Sequence, residues 1–239
     1  LEQARAQPEP QRGRRREPRD GDWRSHSPGW DVAVRQLPPQ LADPVQRARL
    51  HRPHRDEPLV MHVTTTDISL DLLLLPQLRS LANTGYKVVT ASAPGPHAEQ
   101  LKEHGIEHYS LESFTRSLNP FADLRSVLEL VRLIRRLQPD IVHTHNPKPG
   151  VIGRPVARLL GVPLVINTQH GLFAQPGDRR RRRWPVYAAE RFAAAFSHVE
   201  LVQSSEDVDT IVQRLRVPAR KVRLLGNGVD LALFDPVAV

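Results

Sequence analysis

Residues 139–171, PDIVHTHNPKPGVIGRPVARLLGVPLVINTQHG, constrain the fold more than any other stretch. Ile141, Val142 and His143 form a short apolar run after the breaker Pro139. Pro147, Pro149 and Gly150 mark a turn into a helix carrying Val151, Ile152, Val156, Leu159 and Leu160. Gly161 and Pro163 end that helix, and Leu164, Val165 and Ile166 form a second buried strand. Strand, helix and strand in this order make a βαβ unit, which requires parallel strands. Polar residues follow both apolar runs: His143, His145, Asn146 and Lys148 after the first, then Thr168, Gln169 and His170. Ligands of open parallel sheets bind outside the carboxyl ends of the strands. Two polar clusters at two such ends point to one cleft.

The alternation continues on both sides. Strands are expected at 59–64, 87–91, 107–110, 141–143, 164–167, 198–202 and 222–224. Helices are expected at 70–83, 96–104, 121–137, 184–196 and 206–215. Leu124, Val127, Leu128, Val131 and Ile134 recur at helical spacing and predict the apolar face of the 121–137 helix. Pro76 either starts its helix or kinks it. The fold class is α/β, a Rossmann-like parallel sheet with helices on both faces.

Residues 1–57 differ. Stretches such as QRGRRREPRDGDWRSHSPGW scatter Arg and Pro among few apolar residues. Such a segment buries too little surface to offset its chain entropy and is expected to be a disordered tail. The domain is then expected over 58–239. The sequence begins with Leu1, and its one methionine, Met61, lies in the first strand.

With no cysteine, disulfides and thiolate metal sites are excluded. No apolar run reaches the roughly 20 residues of a membrane span, and the charged N-terminus lacks a signal-peptide core. The formal net charge of +8 suits nucleic acid, an anionic membrane face or anionic substrates. No helix-turn-helix, zinc finger or RNA-binding signature accompanies it, so nucleic acid is not expected.

HTHNPKPGVIGR followed by NTQHG resembles family 4 glycosyltransferases on the acceptor side. Ala189-Glu190-Arg191, VQSSEDV and LLGNGVDLALFDP carry the resemblance onward from about Leu59. The wording is nearest the subgroup that builds bacterial polysaccharides and lipid-linked sugars. The resemblance implies the N-terminal half of a GT-B fold, with the sugar-nucleotide domain lying outside this sequence. It implies a retaining transferase that uses a nucleotide sugar as co-substrate. Neither a cofactor nor a metal is implied. The acceptor would be a polyprenyl-diphosphate-linked glycan, handled in the cytoplasm or peripherally at the inner membrane face. The rival readings are a non-catalytic sugar- or acceptor-binding module and a sugar-nucleotide epimerase of similar architecture.

By resemblance, His170 is the candidate catalytic residue, facing the sugar cleft ahead of the turn residue Gly171. His143, His145, Asn146, Lys148, Gly150, Thr168, Gly171 and Asn227 are the candidate substrate-binding residues. His143 and His145 alternate on a strand and share a side. One is expected under the loop and the other in the cleft, or both as loop hydrogen-bonders. With His170 they would make a three-histidine metal site, but no H-E-x-x-H and no nearby carboxylate accompany them, and no metal is expected. Asn146, Lys148 and the helix start near Gly150, with Arg154, form a candidate anion site. Thr64, Thr65, Thr66 and Ser69 stand where many family members carry glycine, and are read as binding acceptor sugar or, the safer reading, as capping the helix that starts near Leu70. The arginines at 179–183 are read as a loop, either on an anionic bilayer or simply solvated. Glu190 and Arg191 match the family, yet a surface ion pair explains them equally well.

Overall fold

The computed structural model describes residues 57–115, 119–145, 147–174 and 177–226. The expected tail lies, apart from Glu57, outside the described residues, as do Asn146 and Asn227. Seven parallel strands form one sheet: β1 (Leu59–Thr66), β2 (Lys87–Ala93), β3 (Glu107–Ser110), β4 (Ile141–His145), β5 (Leu164–Gln169), β6 (Val199–Val202) and β7 (Val222–Leu224). Their spatial order is β3-β2-β1-β4-β5-β6-β7. The order reverses between β1 and β4, which pair in the register Val60 to Ile141 and His62 to His143. That reversal is a topological switch point, where such sheets open a crevice at the carboxyl ends of their strands.

The helices are α1 (Leu75–Asn83), α2 (Ala98–Glu103), α3 (Pro120–Leu137), α4 (Pro147–Leu159), α5 (Arg180–Ala194) and α6 (Ser205–Asp209). They occupy both faces of the sheet. Neighbouring residues of a strand point to opposite sides. Val89 joins a core with Met61, Val142 and Val165 beneath Leu130 and Ile134 of α3 and Val156 of α4. Val88 instead joins Leu78 and Leu81 of α1 and Leu101 of α2.

Local chemistry sets the helix ends. Asn119 accepts from the backbone N–H groups of Phe121 and Ala122, and Pro120 occupies the first turn, where its missing N–H costs nothing. At the other end Gln138 turns left-handed with φ 50° and donates its N–H to the Ile134 carbonyl. Pro76 both follows a start and marks a break: a π-helical segment, Ser69–Leu74, runs into α1, and Pro76 sits in the first turn of α1.

Three expectations change. The buried stripe of α3 is Ser126, Leu130, Leu133 and Ile134. Leu124 and Leu128 are 59% and 43% exposed, because the helix turns its 126/130/134 row to the sheet. The arginine run is not a loop: Arg180 opens α5, and only Arg179 precedes it. β4 and β5 also run two residues further than expected, so His145, Thr168 and Gln169 belong to strands.

Candidate functional site

β1, β4 and β5 place polar side chains on both faces of the sheet near their carboxyl ends. On the Val60, Ile141 and Leu164 face lie His62, His143, His145 and Thr168, with His170 just beyond β5. The first four are buried and His170 is half-buried. His62 Nδ1 lies 3.0 Å from His145 Nε2. His145 Nδ1 lies 3.1 Å from His170 Nε2. His143 packs beside this line, its ring centroid 4.1 Å from that of His145, and its Nε2 lies 2.7 Å from Thr168 Oγ1. Gly171, at φ 109°, takes a backbone conformation open to glycine and turns the chain directly after His170.

Burial lowers the pKa of every ring in the group. His62 falls to about 3. His143 and His145 lie well below the usual imidazole value, with neighbouring histidines adding to the effect of burial. His170 is lowered by burial and partly restored by the Gln203 side chain. At neutral pH these rings are therefore uncharged.

His62, His143 and His145 offer three ring nitrogens within 4.8 Å of one another. Neutral imidazoles are donors for divalent transition ions. Yet no carboxylate belongs to this cluster among the described residues, so an ion would bring two uncompensated charges into a buried site. The donor types fit a metal; the charge balance does not.

The opposite face of β4 and β5 carries an ionic cluster. Arg154 of α4 is fully buried. It contacts Glu190 of α5 at 2.5 Å and Glu200 of β6 at 2.7 Å, and its Nε donates to the Gly150 carbonyl. Asn167 and Ser197 donate to Glu200, and Gln169 donates to Glu190. Burial raises the pKa of Glu190, against the pull of Arg154. Arg154 therefore does not serve an anion site, and Glu190 is not a surface ion pair.

The other expected residues also have protein partners. Lys148 reaches Asp123 at 2.6 Å and donates to the Thr115 carbonyl. Gly150 lies so close to Asn167 that a Cβ there would stand 2.9 Å from its Oδ1. Thr64 and Thr66 lie in β1, and no side-chain cap forms on the π-segment that follows. Asp67, absent from the sequence expectations, accepts from the backbone N–H groups of Ile68 and His97 and ties β1 to the loop before α2.

Two more participants were missed. His62 sits mid-strand in LVMHV, and only the pairing of β1 with β4 brings it to His143. Glu200 left a signal, a charged residue inside the apolar run VELV.

The profile of Glycosyltransferase Family 4 matches residues 76–233, more than half of the sequence. The chain belongs to this family. Among curated proteins it is 34% identical, over 143 residues, to UDP-Gal:alpha-D-GlcNAc-diphosphoundecaprenol alpha-1,3-galactosyltransferase of Escherichia coli, covering 59% of this chain and 36% of that protein. It is 26% identical over 181 residues to the capsular polysaccharide biosynthesis glycosyltransferase CapM of Staphylococcus aureus, covering 74% of this chain and 46% of CapM. The chain thus spans less than half the length of these relatives. A glycosyltransferase from Rickettsia africae ESF-5 shares its fold with a TM-score of 0.58 and 17% identity, over 77% of this chain and 47% of that one. A UDP-GlcNAc 2-epimerase from Neisseria meningitidis does so with a TM-score of 0.55 and 16% identity, over 75% and 50%. The fold is thus the Rossmann-like half of a GT-B architecture, common to transferases and epimerases.

Proposed function

We propose that residues 58–239 form the acceptor-side domain of a glycosyltransferase. The enzyme moves a sugar from a nucleotide-sugar donor to a lipid-linked or polysaccharide acceptor, with retention at the anomeric carbon. The carrying observation is a family 4 sequence whose polar segment folds at the switch point of the sheet, with half-buried His170 at the rim of a buried imidazole group. His170 is the residue proposed to touch substrate. A neutral imidazole there can hydrogen-bond hydroxyl or phosphate oxygens. Thr168, His143 and His145 support it from below. Lys148 and Gly150 shape the adjoining end of α4, while Asn146 and Asn227 remain proposed contacts. The name of the Escherichia coli relative supports a diphosphate-linked polyprenyl glycan as acceptor. Neither a metal nor another cofactor is part of the proposal.

The arginines at the start of α5 support contact with an anionic bilayer from the cytoplasmic side. Trp184 is 74% exposed, and Arg180, Arg183, Trp184, Tyr187 and Arg214 line a cavity of about 150 Å³. Among the described residues no helix is long and apolar enough to cross a membrane. Changing residues 179–183 to Ser should weaken co-sedimentation with anionic vesicles at low salt. Equal binding would remove this contact.

The activity test joins the chain to a family 4 donor-side domain and supplies a panel of nucleotide sugars with a polyprenyl-diphosphate-linked acceptor. Transfer is expected from the joined protein and not from the 239-residue chain alone. His170→Ala should lower it at least tenfold. Turnover by the chain alone would place the donor site within it. Epimerised nucleotide sugar without transfer would favour the rival enzyme.

A further inference from the structure

α3 leaves one side uncovered. Its buried stripe, Ser126, Leu130, Leu133 and Ile134, faces the sheet. At 3.6 residues per turn, Phe121, Leu124, Arg125, Leu128, Arg132 and Arg135 fall on the opposite side, within an arc of about 100°. All six are exposed, Phe121 by 80%. No carboxylate shares that arc. Asp123 reaches Lys148 instead, and Glu129 accepts from the backbone N–H and hydroxyl of Ser113. Single exposed leucines are ordinary on a protein surface. Three large apolar side chains spaced i, i+3 and i+7 on one helix are neighbours and form a stripe.

The stripe has an order along the helix. Phe121, Leu124 and Leu128 occupy its first part, and Arg132 and Arg135 its last. Lys148, at the start of α4 beyond the carboxyl end of β4, holds Asp123 at 2.6 Å. The apolar part is therefore the part nearest the imidazole site. A second copy of the chain does not suit this face, because a two-fold contact sets a patch against itself and would bring arginine against arginine. An anionic bilayer suits both parts. Apolar side chains enter the boundary between headgroups and acyl chains, and guanidinium groups meet headgroup phosphates.

We propose that the outer face of α3 docks on an anionic lipid bilayer, with Phe121, Leu124 and Leu128 inserted at the interface and Arg125, Arg132 and Arg135 on headgroup phosphates. This rests on the reading that the domain meets a bilayer, but it places a contact on a different helix from the arginine run. α4 packs against both α3 and α5, so the two contacts flank it.

The chain has no cysteine, so Phe121→Cys in the 239-residue chain takes a single environment-sensitive fluorophore. Glu103→Cys, on α2 across the sheet, is the control. On vesicles of phosphatidylcholine and phosphatidylglycerol in equal parts, the label at position 121 should shift to the blue and be quenched by brominated acyl chains. The label at position 103 should do neither. Leu124→Asp with Leu128→Asp should weaken vesicle binding about tenfold or more, with circular dichroism reporting the fold. A chain that binds no vesicles overturns the proposal. So does an unquenched label at 121 on vesicle-bound chain, which leaves the lipid contact to other residues. Shielding of that label without lipid, growing with protein concentration, also overturns it and assigns the face to a second copy. With residues 179–183 changed to Ser, the label should stay quenched in the bound fraction, whereas the amount bound reports on α5. No sugar enters the measurement, so failed transfer counts against the functional reading alone.

Discussion

On one face of β4 and β5, burial is tolerated by remaining neutral; on the other, by pairing charges. The imidazoles of His62, His143 and His145 are fully enclosed and discharged by that enclosure. Arg154 is equally enclosed but stays charged between Glu190 and Glu200. A formal excess of one negative charge is eased nearby, where Lys221 feels Glu200 and donates to the carbonyls of Ala194 and Ser197. The same strands thus hold two polar cores with opposite responses to acid and to mutation.

Acid should break the histidine side first. Unfolded histidine titrates near pH 6.5, whereas these rings stay neutral far below it when folded. Their contribution is therefore complete above about pH 6.5 and is lost as pH falls toward the folded values. At about 1.4 kcal/mol per pH unit below 6.5, His62, with a folded value of about 3, loses about 2 kcal/mol between pH 7 and pH 5, and His143 and His145 lose stability in the same direction. Glu190 works the other way: its raised pKa favours the folded state at low pH and less so as pH rises. Urea unfolding at both pH values should show the net loss, and His62→Phe should make it smaller by about 2 kcal/mol. A flat profile would mean the rings are not buried as neutral groups.

Removing Arg154 should be nearly as severe, at any pH where both carboxylates are ionised. Arg154→Met leaves two buried carboxylates facing each other, and breaking such a cluster costs about 3–5 kcal/mol. Denaturant midpoints near pH 7 measure this. A loss below about 1 kcal/mol would show that water or a proton readily replaces the guanidinium.

The smallest effect is expected from Glu190→Gln. The amide keeps most of the shape, Arg154 retains Glu200, and one costly buried charge disappears. Stability at pH 7 should change by about 1 kcal/mol or less. A larger loss would make Glu190 an equal partner in holding Arg154.

The alternation of apolar runs with Gly and Pro breakers predicted all seven strands and the helices between them, because burial and backbone restriction act locally. His170 and Gly171 were legible for the same reason, standing where a buried strand must end. The helix face of α3 was misjudged because Leu124 and Leu128 fit the period as well as Leu130 and Leu133 do. Only the sheet beneath chooses between the rows. Glu190 looked like a surface residue because its partner lies 36 positions earlier in the sequence.

The sequence by itself determined the βαβ order, the family and the segment that carries the site. Tertiary structure decided which polar residues meet. His62 lies 83 residues from His145, and they touch because the strand order reverses between β1 and β4. Arg154 looked like a cleft cation, yet α4 lies so close on β4 that a Cβ at Gly153 would stand 2.7 Å from Thr144. That approach places the guanidinium between Glu190 and Glu200. Local pattern specifies which residues are buried, but the partner that makes a buried polar group tolerable comes from a distant strand or helix, and only the packed fold supplies it.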